Sequence, residues 1–110
     1  FALALDGDNP VGFEAYLRSP FCDYFKTPNV YDGLLTFVSK SYRRRGVSSQ
    51  LRKFLLKAGG FKQGDIFRFS VKRDNMGGYL SVEKLSKELN INMVEVGTNY
   101  EGQVTNQLDI

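Results

Sequence analysis

The sequence predicts a mixed α/β layered domain, and three observations carry that reading. Leu34-Leu35-Thr36-Phe37-Val38 has the aliphatic, aromatic and β-branched content of a buried strand. It runs through a basic turn into Val47, Leu51, Phe54, Leu55 and Ala58, the spacing of one helical face. Asp65 to Lys72 then alternates, with Phe67, Phe69 and Val71 on one side and Arg68, Ser70 and Lys72 on the other, and gives way to a second helical pattern. Finally, two strand-like runs open the chain and two close it.

In order, Phe1 to Leu5 and Val11 to Leu17 read as a hairpin around the turn formers Asp6-Gly7-Asp8-Asn9-Pro10. Arg18 to Asn29 has no clear period and reads as a connecting loop or short helical turn, whose Phe21, Tyr24 and Phe25 need something to pack on. Tyr31 to Ser39 is the strand feeding the basic turn. Val47 to Ala58 is a helix ended by Gly59-Gly60. The second helix starts after Asp74 or Asn75, either able to cap it, and carries Tyr79, Leu80, Val82 and Leu85 to about Leu89. Ile91 to Gly97 and Gln103 to Ile110 are closing strands joined by a turn over Thr98 to Gly102. The expected core is Leu35, Phe37, Val47, Leu51, Phe54, Leu55, Phe67, Phe69, Val71, Leu85 and Val94.

A chain of 110 residues with 42% hydrophobic and 14% aromatic content fits one domain, residues 1–110, with a small core. The net charge of +3 comes from scattered Lys and Arg, which does not demand a nucleic acid. Arg43-Arg44-Arg45, and Phe67 and Phe69 near Arg68 and Lys72, suggest a nucleic-acid surface only weakly, since phosphate contacts need more clustered charge and the aromatics are better spent in the core. A lone Cys22 cannot form an internal disulfide, so a reducing, cytoplasmic setting is expected. Histidine is absent, which with one Cys removes zinc cages and Ser-His-Asp chemistry, and no metal is expected. No apolar run approaches the roughly 18–20 residues of a membrane span, so no membrane partner is expected. Phe1 opens directly into a strand, from which an incomplete N-terminus is expected.

The stretch from Val38 to Leu51 is the most specific. Strand, basic turn and helix follow one another without a spare linker, aiming backbone N–H groups, the helix dipole and arginines at one point where a pyrophosphate would sit. The pattern Arg43-x-x-Gly46-x-Ser48 resembles the coenzyme A pyrophosphate loop of the GNAT (Gcn5-related N-acetyltransferase) superfamily, usually Gln/Arg-x-x-Gly-x-Gly/Ala, with Ser48 replacing the final small residue. The second junction, Val71-Lys72-Arg73-Asp74-Asn75, falls where the family places one. The resemblance covers most of the chain. It corresponds to the C-terminal two-thirds of the fold, since nothing here matches the family's initial strand and two helices.

The resemblance implies a GNAT-like acyl-CoA N-acyltransferase fold, acetyl-CoA as cofactor, and a small-molecule or protein amine as acceptor. Backbone N–H groups of Arg44, Arg45, Gly46, Val47, Ser48 and Ser49 would cradle the pyrophosphate, with Arg43 and Arg45 adding charge. The strand edge at Phe37 and Val38 would bind the pantetheine arm and polarise the thioester carbonyl, and Asn75 would stand near that arm. Where many members carry a thiolate-protonating Tyr, seven residues beyond Asn75, this chain has Val82; Tyr79, four residues beyond, is the candidate acid. Without histidine the candidate bases are Glu14 and Asp32, although the alternation around Glu14 equally fits the wet face of a hairpin. The missing Tyr and the missing N-terminal elements also leave open a GNAT-fold module without catalysis, self-associated or set in a larger assembly.

Overall fold

Turn formers at Gly7 and Asp8 fold the first two runs onto each other, so that β1 (Ala2–Asp6) pairs antiparallel with β2 (Asn9–Arg18) in the computed structural model, which describes residues 1–99 and 101–110. A five-residue helix, α1 (Phe21–Phe25), leads into β3 (Val30–Val38), antiparallel to β2. The helix α2 (Val47–Ala58) follows the basic turn, and β4 (Ile66–Val71) returns parallel to β3. Next come α3 (Met76–Glu88), β5 (Asn92–Thr98) and β6 (Val104–Asp109). The final strand inserts between β4 and β5, giving the order β1-β2-β3-β4-β6-β5. The expected boundaries are met within one or two residues. Of the last predicted turn, Tyr100 lies outside the described residues; Asn99 Oδ1 accepts from the Glu101 and Gln103 amides at 3.0 Å each.

Both long helices pack on one face of the sheet. Leu51 and Leu55 of α2 and Val82 of α3 close over Ala2, Phe67, Phe69 and Leu108, all buried. Each such aliphatic or aromatic side chain contributes about 1.5–3 kcal/mol on full burial. At one end Phe61, Tyr16 and Tyr31 add edge-on ring contacts, and the Tyr16 hydroxyl donates to the Gly59 carbonyl at 3.1 Å, fixing the end of α2.

The other face of the sheet explains where the expected core was wrong. Leu3, Phe13 and Phe37 stand side by side across β1, β2 and β3, with Ala15 and Leu35 in the next row, all turned away from the helices. Phe37 is therefore 46% exposed, and Leu35 and Val94 are exposed as well. Phe54 is 62% exposed because it sits on the flank of α2 beyond the Leu51–Leu55 stripe. The α1 aromatics pack on one another, Tyr24 edge-on to Phe25 at 4.9 Å between ring centres, and not on the core. Cys22 is the buried residue of that helix, its sulfur accepting from the Val30 amide at 3.1 Å.

Candidate functional site

β3 and β4 pair only at Val30, Asp32 and the residue between them, against Ile66 to Arg68. The cause lies on the other side of β3, where Ala15 faces Leu35 but Tyr16 faces Gly33, so Leu34 is an extra residue in the ladder. Such a bulge bends its strand and increases its twist, here away from β4. Asp32 and Arg68 close the crotch with an ion pair, Arg68 Nε donating to Asp32 Oδ1 at 3.0 Å. Past it the strands part around a cleft of about 840 Å³. Gly33 to Thr36 form one wall and Phe69 to Lys72 the other, with Arg44, Ser48 and the first turn of α3 at the mouth. The backbone groups of β3 beyond Asp32 have no ladder partner on this side.

Of this unpaired edge, Gly33 to Thr36 line the cleft, and the predicted Phe37 and Val38 follow them at the end of the strand. The Phe37 carbonyl turns toward β2, 2.9 Å from where a Cβ on Gly12 would stand, and its ring lies on the outer face 6.0 Å from that of Phe13. Val38 is at the strand end, its carbonyl accepting from Arg43 Nε at 2.8 Å. Arg43 therefore braces the turn.

In the turn itself, Arg44 at φ 62° and Gly46 at φ 77° both take left-handed backbone. That reversal swings the chain into α2, whose first helical bond runs from the Gln50 amide to the Gly46 carbonyl at 3.0 Å. No side chain caps this helix, so the amides of Val47, Ser48 and Ser49 face outward at its positive end. A hollow of about 410 Å³ lies there, lined by Val38, Arg43, Arg44 and Gly46 to Ser49. Arg44 and Ser48 border both the hollow and the cleft, while Ser49 Oγ meets Ser81 Oγ at 2.6 Å and ties α2 to α3. Arg45 points elsewhere: its guanidinium lies 5.4 Å from the centre of the Tyr42 ring, along a separate groove beside β1.

Glu14 is 2% exposed, on the helix-facing side of β2 and at the floor of the cleft, so the wet-face reading is corrected. Opposite Thr36 in the register, its Oε1 accepts from Arg52 Nε at 2.9 Å and from Thr36 Oγ1 at 3.3 Å. Its Oε2 is buried without a partner. Arg52 comes from α2, its guanidinium 5.7 Å from the centre of the Phe69 ring, and spans the gap between β2 and β4. Nothing in the sequence pairs a strand Glu with a helix Arg thirty-eight residues away; only the packing of α2 across β2 does so.

On the other side, Asn75 caps α3, its Oδ1 accepting from the Gly78 amide at 3.0 Å. A side chain at position 78 would press on that cap, its Cβ 2.8 Å from Asn75 Nδ2. Asn75, Gly77, Gly78 and Ser81 face the cleft. Tyr79 lies on the opposite side of α3 and lines a different cavity, toward β5 and β6, so it is not brought together with Glu14. A hydrogen bond to the Glu83 carboxylate, with some desolvation, raises its phenol above the ordinary tyrosine value.

A six-stranded mixed sheet in this order, parted at the parallel junction whose two strands each lead into a helix, is the GNAT acyl-CoA N-acyltransferase fold. No protein-family model and no curated protein matches the chain. Solved structures do. The chain is similar to diaminobutyrate acetyltransferase EctA from Paenibacillus lautus, in complex with L-2,4-diaminobutyric acid and coenzyme A, at TM-score 0.75 and 20% identity over 97% of this chain and 68% of that one. It is similar to Naa50 of Arabidopsis thaliana with the bisubstrate analogue CoA-Ac-MVNAL, at TM-score 0.65 and 15% identity over 96% and 69%. It is also similar to an acetyltransferase of the GNAT family from Streptococcus pneumoniae, at TM-score 0.60 and 16% identity over 96% and 61%. No helix among the described residues is long and apolar enough to cross a membrane.

Proposed function

We propose that the chain is an acetyl-CoA-dependent N-acyltransferase that binds its acyl donor in the β3–β4 cleft. One observation carries this: the two strands separate after three paired residues and leave a free backbone edge directly below an uncapped helix start. The chemistry of the residues fits the donor. The amides of Val47, Ser48 and Ser49, with Arg44 beside them, suit a pyrophosphate, and Gly33 to Thr36 offer an extended arm the ladder partner that β4 withholds.

The donor supplies an activated thioester; the protein supplies position, fixed dipoles and a proton acceptor. An unpaired β3 amide polarises the acyl carbonyl without reorganising. The amine nitrogen bonds to the acyl carbon, the C–S bond breaks, and the surplus proton of the nitrogen leaves toward Glu14, whose free Oε2 is held in place by Arg52 and Thr36. Tyr79 is too far round α3 for the leaving thiolate, which takes a proton from water. The named substrates of the similar structures, a diamino acid and a peptide analogue, support an amine acceptor, small or peptidic. The cytoplasm is the proposed setting, since an unpaired Cys22 suits a reducing compartment.

Calorimetric titration with acetyl-CoA, followed by a free-thiol assay over a panel of small amines and peptide N-termini, tests this. Saturable binding and thiol release are expected, and no binding of acetyl-CoA overturns the reading. The side of α3 on which Tyr79 lies favours a second reading, a cofactor-binding module without turnover. Tight binding with no thiol release for any amine would select it.

A further inference from the structure

Asn106 on β6 is 1% exposed, and neither its Nδ2 nor its Oδ1 has a hydrogen-bond partner in the protein. Buried polar side chains are almost always paired, and leaving one unpaired costs about 1–3 kcal/mol per group. A packing residue does not explain this one. Its ladder neighbours are Phe69 on β4, which has no polar atom to offer, and Glu95 on β5, which is exposed and not bonded to it.

The amide instead lines a cavity of about 210 Å³ between α3 and the β4–β6–β5 part of the sheet. The cavity borders the acyl-donor cleft along Val71, Lys72 and Asn75, and its other walls are formed by different residues. Of its polar lining, Asn75 gives its Oδ1 to the α3 cap and the Tyr79 hydroxyl bonds to Glu83, which leaves three kinds of group for a ligand: the Asn106 amide, which both donates and accepts; the Glu95 carboxylate; and the Lys72 and Arg73 cations. Val71 and Val104 supply apolar surface. A simple anion would meet Glu95, and a simple amine would leave the cations and the Asn106 N–H groups without a partner. A molecule with an ammonium and a carboxylate two bonds apart satisfies all three. The volume holds about seven waters at roughly 30 Å³ each, enough for a compact amino acid and too little for a nucleotide.

We propose that this cavity is a binding site for a small free L-α-amino acid. The ammonium lies between Glu95 and Asn106 Oδ1, the carboxylate between Asn106 Nδ2 and the Lys72 and Arg73 cations, and a short aliphatic side chain against the valines. The site does not depend on the acyltransferase reading.

The test is thermal denaturation and calorimetry of the chain with L-alanine, L-valine, L-serine and L-threonine, each beside its N-acetyl and carboxamide derivative. The free amino acids should raise the melting temperature, and both derivatives should bind at least tenfold more weakly. Asn106→Leu, close in volume, should raise the melting temperature of the ligand-free protein, because an unpaired amide is removed, and should abolish the amino-acid response. Glu95→Gln, at an exposed position that keeps the fold intact, should weaken the free amino acids at least tenfold. No response to any of the four at millimolar concentration means that the cavity holds water only, and it overturns the proposal. So does a response that survives Asn106→Leu or is equal for the N-acetyl derivatives.

Discussion

Glu14 is held by Arg52 in a pair whose partners are 3% and 12% exposed at their side chains, so each keeps the other tolerable in the interior. Removing one leaves an uncompensated charge, at a cost of about 3–5 kcal/mol, whereas replacing both by apolar groups of similar size is close to neutral. Glu14→Leu and Arg52→Met should therefore each destabilise strongly in urea unfolding, and the double variant should lose less than either alone. Turnover should vanish in every variant lacking Glu14; retained turnover would remove it as proton acceptor. Gly46 is a different case. A Cβ there meets nothing within 4 Å, so the need for glycine is its φ of 77° and not the space. Gly46→Val should cost about 1–2 kcal/mol or more in stability and weaken acetyl-CoA binding at least tenfold, as the start of α2 shifts to relieve the strain. The sequence spacing identified the turn and its glycine. It could not say which of Arg43, Arg44 and Arg45 faces the cleft, because that follows from the left-handed backbone of Arg44 and Gly46 on either side of Arg45.

Among the elements, α2 was legible to the residue, since amphipathic spacing and a Gly-Gly stop are local signals. Its flank was not. Leu51 and Phe54 both belong to the apolar pattern, yet Leu51 is buried and Phe54 is not, because Phe54 lies on the flank of α2 along the groove beside β1. Leu51→Ala should lose about 2–5 kcal/mol and Phe54→Ala about 0.5 kcal/mol or less, as measured by chemical denaturation. A large loss at Phe54 would show that something covers it in solution. The bulge at Leu34 escaped the sequence reading for another reason: one more leucine in an apolar strand carries no sign that it is unpaired. That single residue accompanies the end of the β3–β4 ladder at Asp32, so the unpaired edge begins at Gly33, ahead of the predicted Phe37 and Val38. Alternation likewise revealed the strands but not that helices cover only one face, which is why Leu35, Phe37 and Val94 are exposed.

For the molecule as a whole, the lack of histidine has a direct effect on pH dependence. No imidazole titrates near neutrality, so stability should be flat between about pH 5 and 8. The ends are set by named groups. Hydrogen bonding to Arg18 lowers the Asp23 carboxyl below its ordinary 3.8, so its contribution is present above that value and is lost as pH falls through the lower folded one. Hydrogen bonding to Asp6 raises the Tyr42 phenol above its ordinary 10.0, so its contribution is complete below 10.0 and is lost as pH rises through the higher folded one. Melting temperature against pH checks both edges, and a sharp change near pH 6.5 would contradict the assignment.

The short seam between β3 and β4 also sets a clock. Two antiparallel leaves, β1-β2-β3 and β4-β6-β5, meet at three rungs, and the Ile66 amide crosses toward the first leaf to reach the Asn29 carbonyl at 2.8 Å. Opening at the seam needs fewer broken rungs than peeling either leaf apart, so in deuterium-exchange experiments Ile66 should label sooner than the amides of the β2–β3 and β4–β6 ladders. An acyl donor lying along both free edges would act as a clasp, slowing Ile66 more than any ladder amide. Uniform labelling across the sheet would instead mean that the two leaves breathe as one body.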